Sequence, residues 1–251
     1  MRDPTSILIT GASSGFGAAL ARHYATAGRR LALIGRHRER LELVAADCRR
    51  AGASVALGTV DVADRAPVAA ASAGFDRDAP IDLAIANAGV SAGTLGGPES
   101  AEQVRRIFAI NVDGVVNTVQ AAAGPMAARG RGQIAIVSSL AAFRGFPGAP
   151  AYCGSKAAVK VWGEALRGSL HPVGVDVCVV CPGYIDTPMT AGNDFWMPMK
   201  MSAERAAGIV ARGLARNRAR IAFPLPLLAA VTLIGLLPPA HDADALPLPF
   251  A

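Results

Sequence analysis

The feature that most constrains this fold is the regular alternation of short apolar runs with longer amphipathic segments. Six runs have strand length, and their apolar residues are mostly consecutive and not confined to every second position: SILIT (6–10), RLALIG (30–35), SVALGTV (54–60), IDLAIA (81–86), QIAIVS (133–138) and VDVCVV (175–180). Continuous apolar strands are typical of parallel sheets that are covered on both faces.

Helical patterns separate these runs, for example at 15–27, 38–51, 99–128 and 152–170. Strand–helix alternation along the chain predicts an α/β protein with a doubly wound parallel sheet, helices on both faces and right-handed crossovers. No linker or repeat interrupts the pattern, so we expect one domain over residues 1–251.

The amino-acid composition indicates which classes of ligand the protein can bind. Hydrophobic residues make up 52% of the 251 residues and charged residues 18%, which indicates an ordered globular chain. The formal net charge is +6, but the basic residues are scattered and aromatic residues are only 5%, so nucleic-acid binding is not expected. Small acidic ligands such as phosphates suit this charge better. The opening MRDPTSILITG has no cleavage-site region, so a cytoplasmic protein is predicted.

The four cysteines do not predict a disulfide scaffold or a metal site. Cys178 and Cys181 spell C-x-x-C, but they lie within the apolar run VDVCVVCPG. Residues three apart on a strand point to opposite faces, about 10 Å apart at ~3.3 Å per residue. Both are therefore predicted to be small buried core residues, and no metal is expected.

The first strand runs directly into a glycine-rich loop and then into a helix. Glycines let the backbone turn sharply and approach a ligand, and the helix N-terminus presents free N–H groups to phosphate. The alternative is an ordinary tight loop, but the order strand, loop, helix favours a phosphate site. The candidate residues are Thr10, Gly11, Ser13, Ser14, Gly15, Phe16 and Gly17.

The end of the second strand predicts which nicotinamide cofactor fits. An acidic residue there would bond the ribose 2′-hydroxyl of NAD, whereas this chain has the run GRHR and no carboxylate before Glu39. Arg36 can form a forked contact with a 2′-phosphate, and Arg38 is expected to assist. The alternative is that both arginines are surface residues at the start of a helix and do not bind the cofactor. We therefore predict that NADP(H) is preferred over NAD(H).

Tyr152 and Lys156 are four residues apart in AYCGSKAAV, so on a helix they share one face. A free phenol has a pKa of about 10, and a nearby ammonium group favours the phenolate. Lys156 is therefore expected to lower the pKa of Tyr152 and to reach a ribose hydroxyl. Alone, this pair would also fit the exposed surface of a helix.

The motifs TGASSGFG and Tyr-x-x-x-Lys together resemble those of the classical short-chain dehydrogenase/reductase family, which has a Rossmann-type fold. The resemblance covers about residues 5 to 190. It implies a catalytic tetrad in which Ser139, thirteen residues before Tyr152, holds the substrate oxygen, and Asn111 supports a proton relay to Tyr152 and Lys156. It also implies further cofactor contacts, in which Ala86 replaces the first asparagine of the family's turn: Asp61, Val62, Asn87, Ala88, Gly89, Tyr152, Lys156, Pro182, Gly183, Ile185 and Thr187.

The resemblance implies an NADP(H)-dependent oxidoreductase that interconverts a carbonyl and a secondary alcohol. It also implies a homodimer or homotetramer formed through the helices over 99–128 and 152–170. Two other functions remain open: a catalytically silent NADP-binding regulator or scaffold, and a protein associated with a membrane surface.

The resemblance implies that residues 190–251 supply a substrate lid and an apolar C-terminal segment within the domain, and two parts of this stretch bear on the substrate. Residues 190–201 combine Phe195, Trp196 and three methionines, which favours an apolar substrate, although ordinary packing against the sheet explains them equally well. Residues 221–240 lack charge, but their prolines leave about 11 residues of uninterrupted helix against a bilayer core of ~30 Å. A pocket wall or subunit interface is the first interpretation, a peripheral membrane contact the second and a tilted span the third.

Overall fold

The computed structural model describes residues 3–92, 98–193 and 195–238. All six expected strands are present, and three short strands follow them: β1 (Ser6–Thr10), β2 (Arg30–Gly35), β3 (Ser54–Thr59), β4 (Leu83–Ala86), β5 (Gly132–Val137), β6 (Val175–Pro182), β7 (Ile185–Asp186), β8 (Met201–Ser202) and β9 (Arg220–Phe223). Seven of them form one parallel sheet in the order β3-β2-β1-β4-β5-β6-β9, while β7 pairs with β8. The predicted parallel sheet is confirmed.

The described residues form eight α-helices, of which the last follows β9 and the others lie between strands: α1 (Gly15–Tyr24), α2 (Arg38–Arg50), α3 (Arg65–Asp78), α4 (Ala101–Phe108), α5 (Gly114–Ala128), α6 (Pro150–Leu170), α7 (Ala203–Ala215) and α8 (Leu225–Gly235). Helices α1, α2 and α7 pack in the hydrophobic cluster on one face of the sheet. Helices α3, α5 and α6 pack in the cluster on the other face. The central strands are therefore buried on both sides, which explains their continuous apolar sequence.

Local sequence explains where several helices begin. Pro150 occupies the first turn of α6, where its missing N–H costs no hydrogen bond. Ser100 and Ser202 precede α4 and α7, and their hydroxyls accept the backbone N–H groups of Gln103 and Arg205. These caps stabilise helix ends that propensity alone would leave frayed.

The structure differs from the sequence prediction in two places. The helix expected over 99–128 is divided into α4 and α5 by one wider π-helical turn, Ala109–Asp113. The sheet also has a seventh strand, β9, which pairs with β6 through Val179 and Arg220. Its four residues are too few to show a periodicity, and its apolar part merges in sequence with the segment that follows.

The charge-free segment 221–240 divides into β9 and α8, and its last two residues lie outside the described part. Helix α8 has 11 residues, the length that the prolines predicted. Among the residues that the structure describes, no helix is both long and apolar enough to cross a membrane.

The C-x-x-C pair behaves as predicted. Cys178 and Cys181 are fully buried free thiols, and they lie in different hydrophobic clusters on opposite sides of β6. Burial raises the pKa of Cys178 to about 12 and that of Cys181 to about 11, so neither thiol is poised to react.

Chain order reverses at the middle of the sheet. Strand β1 lies between β2 and β4, so the connections from β1 and β4 leave in opposite directions. In doubly wound sheets this switch point opens a crevice at the carboxyl ends of the strands, where ligands bind. The glycine loop follows β1 at that crevice, and Asn87 follows β4.

Candidate active site

The glycine loop has a backbone that other residues would not tolerate. Gly11 and Gly15 have φ values of +67° and +52°, in the left-handed region that favours glycine. A Cβ at Gly17 would lie 2.2 Å from the carbonyl oxygen of Gly11, well inside contact distance. The three glycines therefore hold the loop close against the N-terminus of α1.

Two polar side chains fix this loop to the end of β4. The Asn87 amide donates to the carbonyl oxygen of Thr10 at 3.0 Å, and the Thr10 hydroxyl accepts the backbone N–H groups of Asn87 and Ala88 at 3.2 and 3.3 Å. Thr10 is almost completely buried. It thus positions the loop from behind.

A cleft of about 440 Å³ extends from the glycine loop to Tyr152 at the carboxyl ends of the strands. Its walls include most of the candidate residues: Gly11, Ser13, Ser14, Gly15, Phe16, Gly17, Arg36, Asp61, Val62, Asn87, Ala88, Gly89, Ser139, Tyr152, Lys156, Pro182, Gly183, Ile185 and Thr187. These residues come from separate connections that follow the central strands, which explains why they are scattered in the sequence.

Three candidate residues lie outside the cleft wall: Thr10, Arg38 and Asn111. The Arg38 side chain is 74% exposed and pairs with Glu42 at 3.7 Å on the surface of α2. Arg38 was expected to stand beside Arg36 at this wall of the cleft. The structure places His37 and Arg40 there instead.

Arg36 stands at the end of β2 beside the cleft. Its guanidinium lies 3.4 Å from the Asp61 carboxylate, and both side chains are partly exposed. The Asp61 carboxylate also accepts the N–H of Ala63, which fixes the turn after β3. Arg36 therefore has a charge partner that orients it and keeps several of its N–H groups available.

Ser139 and Tyr152 meet at one end of the cleft. The Ser139 hydroxyl accepts the N–H of Ala141 at 3.1 Å. Ser139 and Tyr152 both line the cleft, and Ser139 is close enough to the phenol to act on its pKa. The neighbouring Ser138 hydroxyl instead donates to the carbonyl oxygen of Lys156 at 2.8 Å, within the protein. The Ser138 hydroxyl is thus engaged within the protein, whereas Ser139 lies next to the phenol of Tyr152.

Lys156 lies one helical turn below Tyr152 on α6. Its ammonium nitrogen donates to the carbonyl oxygen of Val137 at 3.0 Å and lies 5.8 Å from the centre of the Tyr152 ring. Lys156 is almost completely buried, and this burial lowers its pKa to about 8. The side chain therefore can change its charge near neutral pH.

Burial raises the pKa of Tyr152, and the hydrogen bond from Ser139 opposes that change. The expected lowering by Lys156 does not appear, because burial of the phenol is the largest influence on its pKa. A raised pKa keeps the phenol protonated at neutral pH. In this state Tyr152 is a proton donor.

Asn111 occupies the π-helical turn and is completely buried. Its side-chain oxygen accepts the N–H of Val90 at 2.8 Å, and its amide donates to the Val90 carbonyl at 2.9 Å and the Ser155 hydroxyl at 3.0 Å. Ser155 in turn donates to the carbonyl oxygen of Tyr152. The Asn111 side chain therefore ties the connection after β4 to α6.

Glu99 is a residue that the sequence analysis missed. Its carboxylate accepts the N–H of Ala151 at 2.8 Å, at the first turn of α6 and one residue before Tyr152. The N-cap residue of α6 is Ala149, whose side chain makes no capping hydrogen bond. A carboxylate at this position satisfies a free N–H and suits the helix dipole. The contact spans 52 residues of sequence, so no local pattern could have indicated it.

A second, smaller pocket of about 160 Å³ adjoins the cleft. Ser139, Tyr152 and Gly183 contribute to both, so the pocket opens where the serine and tyrosine hydroxyls meet. Its far wall includes Leu227 and Val231 from α8. This helix comes from the segment 221–240, for which a pocket wall was one expected role.

The parallel sheet, the glycine loop at its switch point and the basic end of β2 define a dinucleotide-binding class of α/β protein. The family model for short chain dehydrogenases matches residues 5–197. This chain belongs to the short-chain dehydrogenase/reductase family, as its motifs indicated. It is an oxidoreductase acting on alcohol or carbonyl groups, and its family binds a nicotinamide cofactor.

Relatives and solved structures resemble the whole chain. An oxidoreductase of uncharacterized function from Myxococcus xanthus is 36% identical over 240 residues, which cover 95% of each chain. The short-chain dehydrogenase from Sphingobium yanoikuyae in complex with NADPH has a TM-score of 0.79 at 30% identity, covering 95% of this chain and 98% of that one. A family member from Burkholderia phymatum in complex with NAD has a TM-score of 0.83 at 26% identity, with 92% and 93% coverage.

Proposed function

We propose that this protein is an NADP(H)-dependent oxidoreductase that interconverts a carbonyl and a secondary alcohol on an apolar substrate. The observation that carries the proposal is the meeting of Ser139 and Tyr152 where the cleft joins an apolar pocket. The cleft fits a dinucleotide because its glycine loop leaves no room for side chains and its basic end suits phosphate. The bound cofactor supplies or accepts a hydride at the carbonyl carbon.

The side chains have distinct parts in this reaction. Ser139 donates a hydrogen bond to the substrate oxygen, and Tyr152 gives that oxygen a proton during reduction or removes it during oxidation. The Lys156 ammonium stabilises the phenolate that remains after reduction and bonds a ribose hydroxyl. Asn111 positions α6 through its hydrogen bond to Ser155. It also takes part in the relay that returns a proton to Tyr152.

The preference for NADP(H) rests on charge at the end of β2. Arg36 and Arg40 both line this part of the cleft, and no carboxylate follows β2 directly. A 2′-phosphate can pair with the two guanidinium groups, whereas Asp61 is already engaged with Arg36. Solved relatives bind either NADPH or NAD, so the cofactor contacts of this chain decide the preference.

Replacing Arg36 by alanine tests this preference. We expect Arg36→Ala to raise the KM for NADPH about tenfold to a hundredfold and to leave the KM for NADH nearly unchanged, because only NADPH loses a charge-assisted contact. Arg38→Ala is the matched control, since Arg38 lies outside the cleft wall. Steady-state kinetics with both cofactors measure the effect, and equal losses for NADPH and NADH would refute it.

The rate of ketone reduction should fall as pH rises through about 8, the pKa of Lys156. The protonated lysine is the active form, because its charge stabilises the developing phenolate of Tyr152; deprotonation removes that charge. The measurement is kcat/KM for NADPH across this pH range, which reports groups of the cofactor-free enzyme. Lys160→Ala, one turn further along α6 and paired with Glu164, should leave the profile unchanged. A profile that stays level well above pH 8 would contradict this role.

Measuring alcohol formation from NADPH and a ketone distinguishes an active enzyme from a catalytically silent regulator or scaffold. NADPH consumption with a panel of apolar ketones, and one molecule of alcohol formed per NADPH, supports the enzyme. Tight NADPH binding without any alcohol formation supports the regulator or scaffold. Ser139, Tyr152 and Lys156 line the same cleft as the glycine loop. This favours the enzyme, since a regulator needs only the phosphate end of the cleft.

Assembly and membrane contact remain proposals. A homodimer or homotetramer formed through α4, α5 and α6 is supported by two exposed apolar side chains there, Phe108 and Val161. Helix α8 also exposes Leu225 and Leu233, and Leu236 is exposed directly after it, which suits a second subunit or a peripheral membrane contact. Sedimentation with and without lipid vesicles separates these two roles.

A further inference from the structure

The smaller pocket beside Ser139 and Tyr152 has a composition that restricts the substrate. Its described walls combine aromatic and aliphatic side chains, among them Phe146, Tyr184, Met189 and Phe195. The polar side chains among the described lining residues are neutral, and none of these residues is Asp, Glu, Lys, Arg or His. Among these described residues, a charged substrate group would find no opposite charge to compensate for its lost hydration, which is costly.

The volume of the pocket limits the size of the substrate. An apolar cavity of about 150 Å³ holds one benzene molecule, and this pocket measures about 160 Å³. Sites for drug-sized ligands are about 300–1,000 Å³. One six-membered ring, or an aliphatic group of similar volume, fills the pocket when the carbonyl lies between Ser139 and Tyr152.

Helix α8 sets the far boundary of this pocket. Val231 is almost completely buried against Leu140, Phe146 and Cys153, and Leu227 packs on the same cluster. A Cβ at Gly183 would lie 3.1 Å from a Leu227 methyl, so Leu227 rests on the backbone of the cleft wall. The opposite face of the helix exposes Leu225 and Leu233. This boundary lies outside residues 5–197, which the family model matches.

We infer that the enzyme acts on small, uncharged ketones or secondary alcohols whose apolar part is about one ring in size, and that Leu227 and Val231 set this limit. The inference rests on the proposed function and adds its substrate class. In the reductive direction the ketone gains a hydride at carbon from NADPH and a proton at oxygen from Tyr152. The products are a secondary alcohol and NADP⁺.

A series of ketones tests the size and charge limits. The probes are cyclohexanone, the two-ring ketone decalone, a four-ring steroid ketone and the charged oxocyclohexanecarboxylate. We expect kcat/KM with NADPH to be highest for cyclohexanone and to fall at least about tenfold for decalone. We expect the steroid and the carboxylate to be reduced at least about a hundredfold less efficiently. Equal or better reduction of decalone or the carboxylate would overturn the inference.

Two variants on opposite faces of α8 test the boundary. Leu227→Ala should raise the kcat/KM ratio of decalone to cyclohexanone about tenfold, because it lengthens the pocket. Leu233→Ala removes the same atoms from the exposed face and should leave that ratio unchanged. Val231→Ala removes less volume and provides a second test if Leu227→Ala does not fold. An identical ratio in wild type and in both pocket variants would overturn the assignment.

Binding distinguishes failure of this inference from failure of the proposed function. The thermal shift of the NADPH-bound protein with each ketone reports pocket occupancy even without turnover. Reduction of ketones without any dependence on size or charge contradicts the inference alone. NADPH binding with neither turnover nor a thermal shift for any probe contradicts both the inference and the proposed oxidoreductase activity on apolar carbonyls.

Discussion

Tyr152→Phe is expected to lower kcat for ketone reduction about 10²- to 10⁴-fold, the usual contribution of a general acid. The substitution removes only the phenolic hydroxyl beside Ser139 and keeps the ring on α6. The Kd for NADPH should change less than about threefold, because the phosphate end of the cleft is untouched. Single-turnover kinetics and NADPH fluorescence titration measure the two quantities.

The matched control for this variant is Tyr24→Phe. Tyr24 is buried at the end of α1, away from the cleft wall, and burial raises its pKa to about 12. Its hydroxyl has no part in the proposed chemistry, so kcat should stay close to that of the wild type. Retention of more than about a tenth of the activity in Tyr152→Phe would mean that another group supplies the proton.

Gly17→Ala is expected to weaken NADPH binding at least about a hundredfold. The new methyl would lie 2.2 Å from the Gly11 carbonyl oxygen and 2.5 Å from the Asn87 amide nitrogen, so the loop has to move. Hydrogen bonds to a charged group contribute about 1.5–3 kcal/mol each, so losing two of them to the phosphates weakens binding about a hundredfold or more. Overpacking costs about 1–3 kcal/mol of stability. Fluorescence titration and thermal unfolding measure both effects.

Gly74→Ala in α3 is the control for the change from glycine to alanine. A Cβ at Gly74 meets no atom within 4 Å, so NADPH affinity should be unchanged and stability should rise slightly. If Gly17→Ala does not fold, Gly15→Ala tests the same loop, since Gly15 has a φ of +52°. Normal NADPH affinity in both loop variants would contradict the proposed phosphate site.

Strand positions could be predicted because the central strands are buried on both faces, so that most of their residues are apolar in consecutive positions. The glycine loop and the Tyr152–Lys156 pair were also visible, since each depends on spacing within a few residues. Strand β9 was missed because it has only four residues. The π-helical turn at Asn111 was missed because it follows from tertiary hydrogen bonds to Val90 and Ser155.

Contacts between distant segments account for the remaining differences at the site. The cap that Glu99 provides for α6 joins residues 52 positions apart. The pKa of Tyr152 was expected to fall because the sequence shows a nearby lysine and not the extent of burial, which dominates. Arg38 and Arg40 look equivalent in the sequence, but the helical turn of α2 directs only Arg40 to the cleft.

The most direct test of the central claim follows a hydride from NADPH to the substrate. The wild-type protein is incubated with cyclohexanone and NADPH that carries deuterium at the transferable position, and the alcohol is analysed by mass spectrometry. The proposed function predicts one deuterium on the carbinol carbon of each product molecule, and no such product with Tyr152→Phe on the same timescale. NADPH binding without deuterated alcohol, for cyclohexanone and every other ketone of the series, would contradict it.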